Sequence, residues 1–263
     1  MISRWMTGLV TACLMNGHAM GGAWTLPEGQ GQVITSASRT ITPVRAWFGE
    51  VIDADSNTNQ VFAEYGLWDD LTVGGSLFAK YATTSDDLET RIGIHARHQI
   101  WTGDAGDVFS VQAGVSAPME RWLGGGLGDN RPNSATEIDL RALYGRGWQW
   151  DLGNSFVSSE LGLRFRGEGL DEQLRFDVTA GHEPIRGVLL LGSAFSSFPL
   201  GNKDEVSIKL APSVAYTLWP LLGRNEKKPW QPISPDTLQI GVTWDAARQN
   251  SGLEIGVSIW KSF

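Results

Sequence analysis

The stretch Gly252-Leu253-Glu254-Ile255-Gly256-Val257-Ser258-Ile259-Trp260-Lys261-Ser262-Phe263 decides the fold. Leu253, Ile255, Val257, Ile259 and Phe263 share one face of an extended chain, and Glu254, Gly256, Ser258, Trp260 and Ser262 share the other. Alternation held over that length is the period-two signature of a strand with one apolar side. Lys261 interrupts the apolar side near its end, where its stem can lie along apolar surface while the ammonium stays in polar surroundings.

Segments of the same kind recur back through the chain, at 237–246, 205–218, 188–198, 171–182, 154–166, 136–148, 108–118, 90–101, 71–81 and 59–67, with one or two more within 30–54. In 108–118, Phe109, Val111, Ala113, Val115 and Ala117 alternate with Ser110, Gln112, Gly114 and Ser116. In 171–182, Leu174, Phe176, Val178 and Ala180 alternate with Gln173, Arg175, Asp177 and Thr179. In 205–218, Val206, Ile208, Leu210, Val214, Tyr216 and Leu218 form the apolar set. The run Val188-Leu189-Leu190-Leu191 has no clear parity. The chain is therefore all-β. After the first two dozen residues no run of eighteen apolar residues occurs, so no transmembrane helix is expected. The 41% hydrophobic content, 32 glycines and 12 tryptophans suit a barrel that shows lipid only alternate residues. A secreted β-sandwich or propeller shares the short strands but turns its polar face to solvent.

The first residues read as an export signal: Arg4, an apolar core from Trp5 to Met15, and the small residues Gly21-Gly22-Ala23. A cut after Ala23 is expected, leaving 1–23 as signal and 24–263 as barrel with a periplasmic lead-in; a cut after Ala19 is nearly as acceptable. Val10-Thr11-Ala12-Cys13 resembles a lipoprotein box, with only Trp5 to Val10 as its core. Since the signal carries Arg4 and no acid, its removal takes the net charge from −8 to −9, which argues against a nucleic-acid partner.

A strand ending on Phe263 resembles the terminal strand of Gram-negative outer-membrane β-barrels, in which that residue is part of the assembly signal; Lys261 departs from the aromatic or aliphatic residue usual there. The stretches Glu64-Tyr65-Gly66-Leu67-Trp68-Asp69-Asp70-Leu71-Thr72 and Trp24-Thr25-Leu26-Pro27-Glu28-Gly29-Gln30-Gly31-Gln32 are similar to parts of small proteobacterial outer-membrane barrels, often transporter-like or associated with exopolysaccharide genes. The resemblance implies a transmembrane antiparallel β-barrel in the outer membrane. Its partners would be lipid, lipopolysaccharide and the barrel assembly machinery. No substrate or functional residue carries over. Even strand number and periplasmic termini then select twelve strands, with fourteen as the alternative.

Counting back from Phe263 places short periplasmic turns at 68–70, 102–107, 149–153 and 183–187, and outer loops at 53–59, 83–89, 119–135, 167–170, 199–204 and 246–251. Trp68, Trp101, Trp148, Trp150 and Trp219 fall at periplasmic strand ends, where an aromatic girdle belongs. Pro220 to Asp236 is long for that side; its prolines keep it from extending the sheet. Lys227, Lys228 and Trp230 make it a candidate contact for a periplasmic partner in an envelope or exopolysaccharide machine, beside the plainer reading of an inserted loop.

Parity sends Lys80, Arg91, Arg97, Arg141, Arg164, Arg166, Arg175 and Lys209 inward with Glu64, Asp139, Glu160, Asp177, Asp245 and Glu254. Hairpin arithmetic sets Arg141 level with Glu160, and Lys80 level with Arg91 as an unneutralised pair. A narrow lumen with a cationic excess is expected to pass small anionic or sugar-like solutes, with Lys80, Arg91, Arg97, Arg141, Arg164, Arg175 and Lys209 as lining. A closed ladder of charge is the structural alternative. An enzyme is not expected: His95 is inward, His98 outward, and no serine sits in a nucleophile motif. No cofactor or metal is expected, although the acidic and amide-rich 53–59 loop could hold calcium.

Overall fold

The first and last barrel strands, β1 (Gly31–Arg45) and β12 (Leu253–Ser262), pair antiparallel from Ser262 opposite Gln32 to Leu253 opposite Ile41. In the computed structural model that pairing closes a twelve-stranded barrel in which every strand binds its sequence neighbours. Between them run β2 (Val51–Trp68), β3 (Leu71–Ala82), β4 (Asp87–Thr102), β5 (Asp107–Pro118) and β6 (Glu137–Trp150). These are followed by β7 (Gly153–Arg166), β8 (Gln173–Ile185), β9 (Val188–Pro199), β10 (Ser207–Thr217) and β11 (Asp236–Asp245). The structure describes residues 12–13, 20–45, 51–82, 87–119, 135–150, 153–167, 169–201, 206–218, 236–247 and 252–263. A separate two-residue ladder joins Ala12–Cys13 to Met20–Gly21. Closure leaves no strand edge to satisfy.

The near end of the barrel carries both ends of the closing pair, where Gly31 and Phe263 exchange backbone hydrogen bonds at 2.9 and 3.0 Å. It also carries the short turns Asp69–Asp70 and Arg186–Gly187, the second with Gly187 at φ 84 and its N–H donating to Glu183 Oε1 at 2.8 Å. The expected 53–59 outer loop is instead strand, since β2 begins at Val51 and Asn57 stands opposite Arg39. The reason is physical. There Ser56 and Thr58 face inward while Asn57 and Asn59 are exposed, so both faces are polar and no alternation marks the strand.

Leu77, Ile94, Leu140, Leu161, Val214 and Ile240 project from the outer face and are among the exposed large apolar side chains. Trp68, Trp101 and Trp150 are more than half exposed at near-end strand termini, with the Trp148 ring 6.1 Å from that of Trp150. Tyr81, Phe165, Phe198 and Trp244 stand out from the opposite ends of β3, β7, β9 and β11. From Leu71, which pairs with Trp68, to Tyr81 the strand climbs about 33 Å at ~3.3 Å per residue. At a tilt of about 40° that is ~25 Å, the height of an outer-membrane apolar band. Strand β9, ambiguous in sequence, turns Leu191 and Ser193 inward and Leu190 outward.

Candidate functional site

Two walls of the lumen carry most of its charge. On β2–β4, the Glu64 carboxylate is fully buried and receives Gln32 Nε2 at 2.8 Å, Arg97 Nη2 at 2.9 Å and His95 Nε2 at 3.0 Å. Gly74 stands between Glu64 and His95 in the ladder, and a Cβ there would lie 2.4 Å from His95 Cε1. The missing side chain lets the imidazole lie across β3. Its other flank stacks on Phe62, with centroids 5.4 Å apart.

On β6–β8 the centre is Arg141, whose side chain is 1% exposed. Its Nη1 donates to Glu160 Oε2 at 2.9 Å and to Asp177 Oδ2 at 3.2 Å, and its Nη2 is 3.6 Å from Asp139 Oδ1. Arg175 Nη2 shares Asp177 Oδ2 at 3.1 Å. Arg164 grips Asp139 through Nη2 and Nε at 2.9 and 3.1 Å, and its Nη1 is 3.4 Å from Glu137 Oε2, which Arg91 also approaches at 3.4 Å. The opposite wall is different. From β9 round to β1 its buried polar groups include Ser193, Thr237, Gln239, Thr243 and Ser258, and Gln239 Nε2 donates to Ser213 Oγ at 2.7 Å. A wall dense in ion pairs thus faces one richer in hydroxyls and amides, in which Asp245 and Glu254 are also buried.

Most of the cations named from sequence do line the lumen, but not as bare charge. Arg91, Arg97, Arg141, Arg164 and Arg175 each contact a carboxylate. Lys209 lies opposite Asp245, and Lys80 lies opposite Glu89 rather than Arg91, whose ladder partner is Phe78. The two-residue offset arises because β4 begins at Asp87, inside the loop expected at 83–89. Arg141 meets Glu160 as expected, though diagonally, since its direct ladder partner is Gly162. Glu137, which the same parity rule should have added, was missed. Trp219, Lys227, Lys228 and Trp230 lie outside the described residues. His98 faces outward near Asp70, and the Ser–His contact on the outer face joins Ser155 Oγ to His182 Nδ1 at 2.9 Å. Among the described residues no group of three or more His, Cys, Asp or Glu could hold a metal ion.

The stretch before β1, read from sequence as a periplasmic lead-in, enters the bore. Gly29 N–H donates to Gly66 O at 2.9 Å, Thr72 Oγ1 accepts from Leu26 N–H at 2.7 Å, and Thr25 Oγ1 donates to Asp69 O at 2.8 Å. The chain then crosses to β5–β7. There Ser110 Oγ donates to Ala23 O at 2.5 Å, and Trp24 sets its ring edge-on to Phe156 at 6.1 Å. Gly66 and Gly145 make the room: a Cβ on the first would lie 2.2 Å from Pro27 O, and on the second 2.7 Å from the Trp24 ring. Apolar lumen residues, Val108 and Leu143 on one side and Phe156, Leu191 and Ala215 on the other, pack around this bar.

Folds of this shape are known. The chain superposes on an outer membrane channel from Pseudomonas putida F1 with a TM-score of 0.62 and 12% identity, over 94% of this chain and 100% of that one. The fold is that of an outer-membrane β-barrel. The beta domain of a Bordetella autotransporter is a second match, with a TM-score of 0.50 and 12% identity, over 89% of this chain and 99% of that one. At such identities the likeness concerns the barrel alone. No family model matches the chain, and no curated protein matches it.

Proposed function

We propose that this chain is an outer-membrane barrel acting as a narrow channel or transport component for small anionic or sugar-like solutes. The observation that carries the reading is the set of unused donors and acceptors inside the lumen. Arg141 Nε and Nη2, Arg175 Nη1, Gln239 Oε1 and Ser36 Oγ are all buried without a hydrogen-bond partner. A carboxylate or phosphate passing between the two walls accepts from the arginines and from Ser36, and a sugar hydroxyl can also donate to Gln239 Oε1. Ion pairs buried this way stabilise a fold poorly compared with apolar filling, whereas ionisable groups within a membrane span mark solute pathways. The bore is constricted in this conformation, with the Arg97 side chain fully buried, so passage requires the pairs to exchange partners and the N-terminal bar to shift.

Liposome swelling tests this. Vesicles loaded with the barrel should swell in small sugars and monocarboxylates faster than in larger oligosaccharides, and Arg175→Ala should slow the carboxylates selectively. Vesicles that swell no faster than protein-free ones would remove the reading.

A further inference from the structure

We infer that the export signal is hydrolysed at the Ala19–Met20 bond, so that the chain in the membrane keeps Met20 to Ala23 and seats Gly22 and Ala23 inside the bore. This goes beyond the channel reading and holds whatever the solute. The sequence alone accepts two cuts, because Ala19 follows Gly17 and Ala23 follows Gly21, each a small residue at the third position before the bond. The structure separates them.

Ala23 is completely buried and packs with Val108 and Leu143. Its carbonyl is the acceptor for Ser110 Oγ at 2.5 Å, and Ser110 is itself fully buried. A Cβ on Gly145 would lie 2.9 Å from the Ala23 methyl, so β6 is shaped to admit that residue. A Cβ on Gly22 would meet Ser158 Oγ at 3.1 Å and the Trp24 ring at 3.2 Å, so Gly22 is fitted as closely. A cut after Ala23 discards both fitted residues, removes the acceptor of a buried hydroxyl, and puts the Trp24 ammonium into the apolar cluster. Burying an unpaired charge there is far costlier than keeping a neutral peptide. A cut after Ala19 moves the ammonium several residues along the chain, up to about 10 Å from Ala23, where it can find water or a carboxylate. In the reaction, water adds across the Ala19 carbonyl carbon–Met20 nitrogen bond. The carboxylate leaves on the signal fragment, and the ammonium forms on Met20. A signal peptidase supplies the catalysis.

The test is N-terminal sequencing and intact-mass measurement of the full chain purified from outer membranes. The expected start is Met-Gly-Gly-Ala-Trp. A start at Trp-Thr-Leu-Pro-Glu, or a lipidated Cys13, would overturn the inference. A chain beginning at Met1 would overturn it together with the export reading, which the other two outcomes leave standing. Gly21→Leu gives a second check: it spoils only the later site, so processing should be unchanged, and accumulated precursor would contradict the assignment.

Discussion

Gly162 stands directly opposite Arg141 in the ladder between β6 and β7, and a Cβ built on it would lie 3.0 Å from Arg141 Cγ. The arginine therefore crosses β7 over a bare backbone to reach Asp177 on β8. Gly162→Val should push it away and leave buried carboxylates short of a partner, at a cost of about 3–5 kcal/mol. Heat-modifiability on gels reads this as a lower temperature for loss of the compact band. Gly192→Val is the control: Gly192 has nothing within 4 Å of an added Cβ, and the band should persist to the wild-type temperature.

The apolar band makes a depth-dependent prediction. Ile94 is 53% exposed at the middle of β4, and Leu88 is 53% exposed near its far end. Ile94→Arg should cost about 2–4 kcal/mol in vesicles, and Leu88→Arg about 0–1 kcal/mol. Equal costs in denaturant titrations would mean that lipid does not surround the barrel at this height.

The N-terminal bar is held by separable bonds. Ser110→Ala and Thr72→Ala each remove one buried hydrogen bond, worth about 0.5–1.5 kcal/mol. In a Leu26→Cys background, where position 26 is fully buried, a water-soluble thiol reagent should react slowly, and severalfold faster once either anchor is removed. Fast labelling without either change would place the segment outside the bore.

Phe263 allows folding and assembly to be tested apart. Ser262 already pairs with Gln32, so the barrel can close without the last residue. Deleting Phe263 should leave refolding in detergent close to wild type while sharply reducing the amount found in outer membranes. Parallel loss in both measurements would make it a structural residue alone.

The barrel was legible because strands such as β5, β8 and β12 carry one apolar outward face and one polar face toward the lumen, which writes alternation into the residues. The signal faded where both faces meet similar surroundings. Asn57 and Ser56 both stand in a polar stretch of β2, and Leu190 and Leu191 make β9 apolar on both faces because Leu191 packs beside Phe156 inside the barrel while Leu190 projects from it. The cations of the lumen were legible by parity, but their partners were not. Register shifts of two residues keep every face and change every neighbour, as for Lys80 and Glu89. The N-terminal bar left little trace, since much of what it offers to the barrel is backbone, as at Leu26 N–H, Gly29 N–H and Ala23 O, and its room is made by inward glycines, neither of which patterning reveals.

Planar-bilayer recording of the wild-type barrel beside a variant lacking residues 22–26 tests the central claim most directly. The account predicts a small anion-favouring conductance for the wild type, a severalfold larger one for the deletion, and a loss of anion preference in Arg175→Ala. Silence from both the wild type and the deletion, or a cation preference untouched by Arg175→Ala, would contradict it and leave a closed structural barrel.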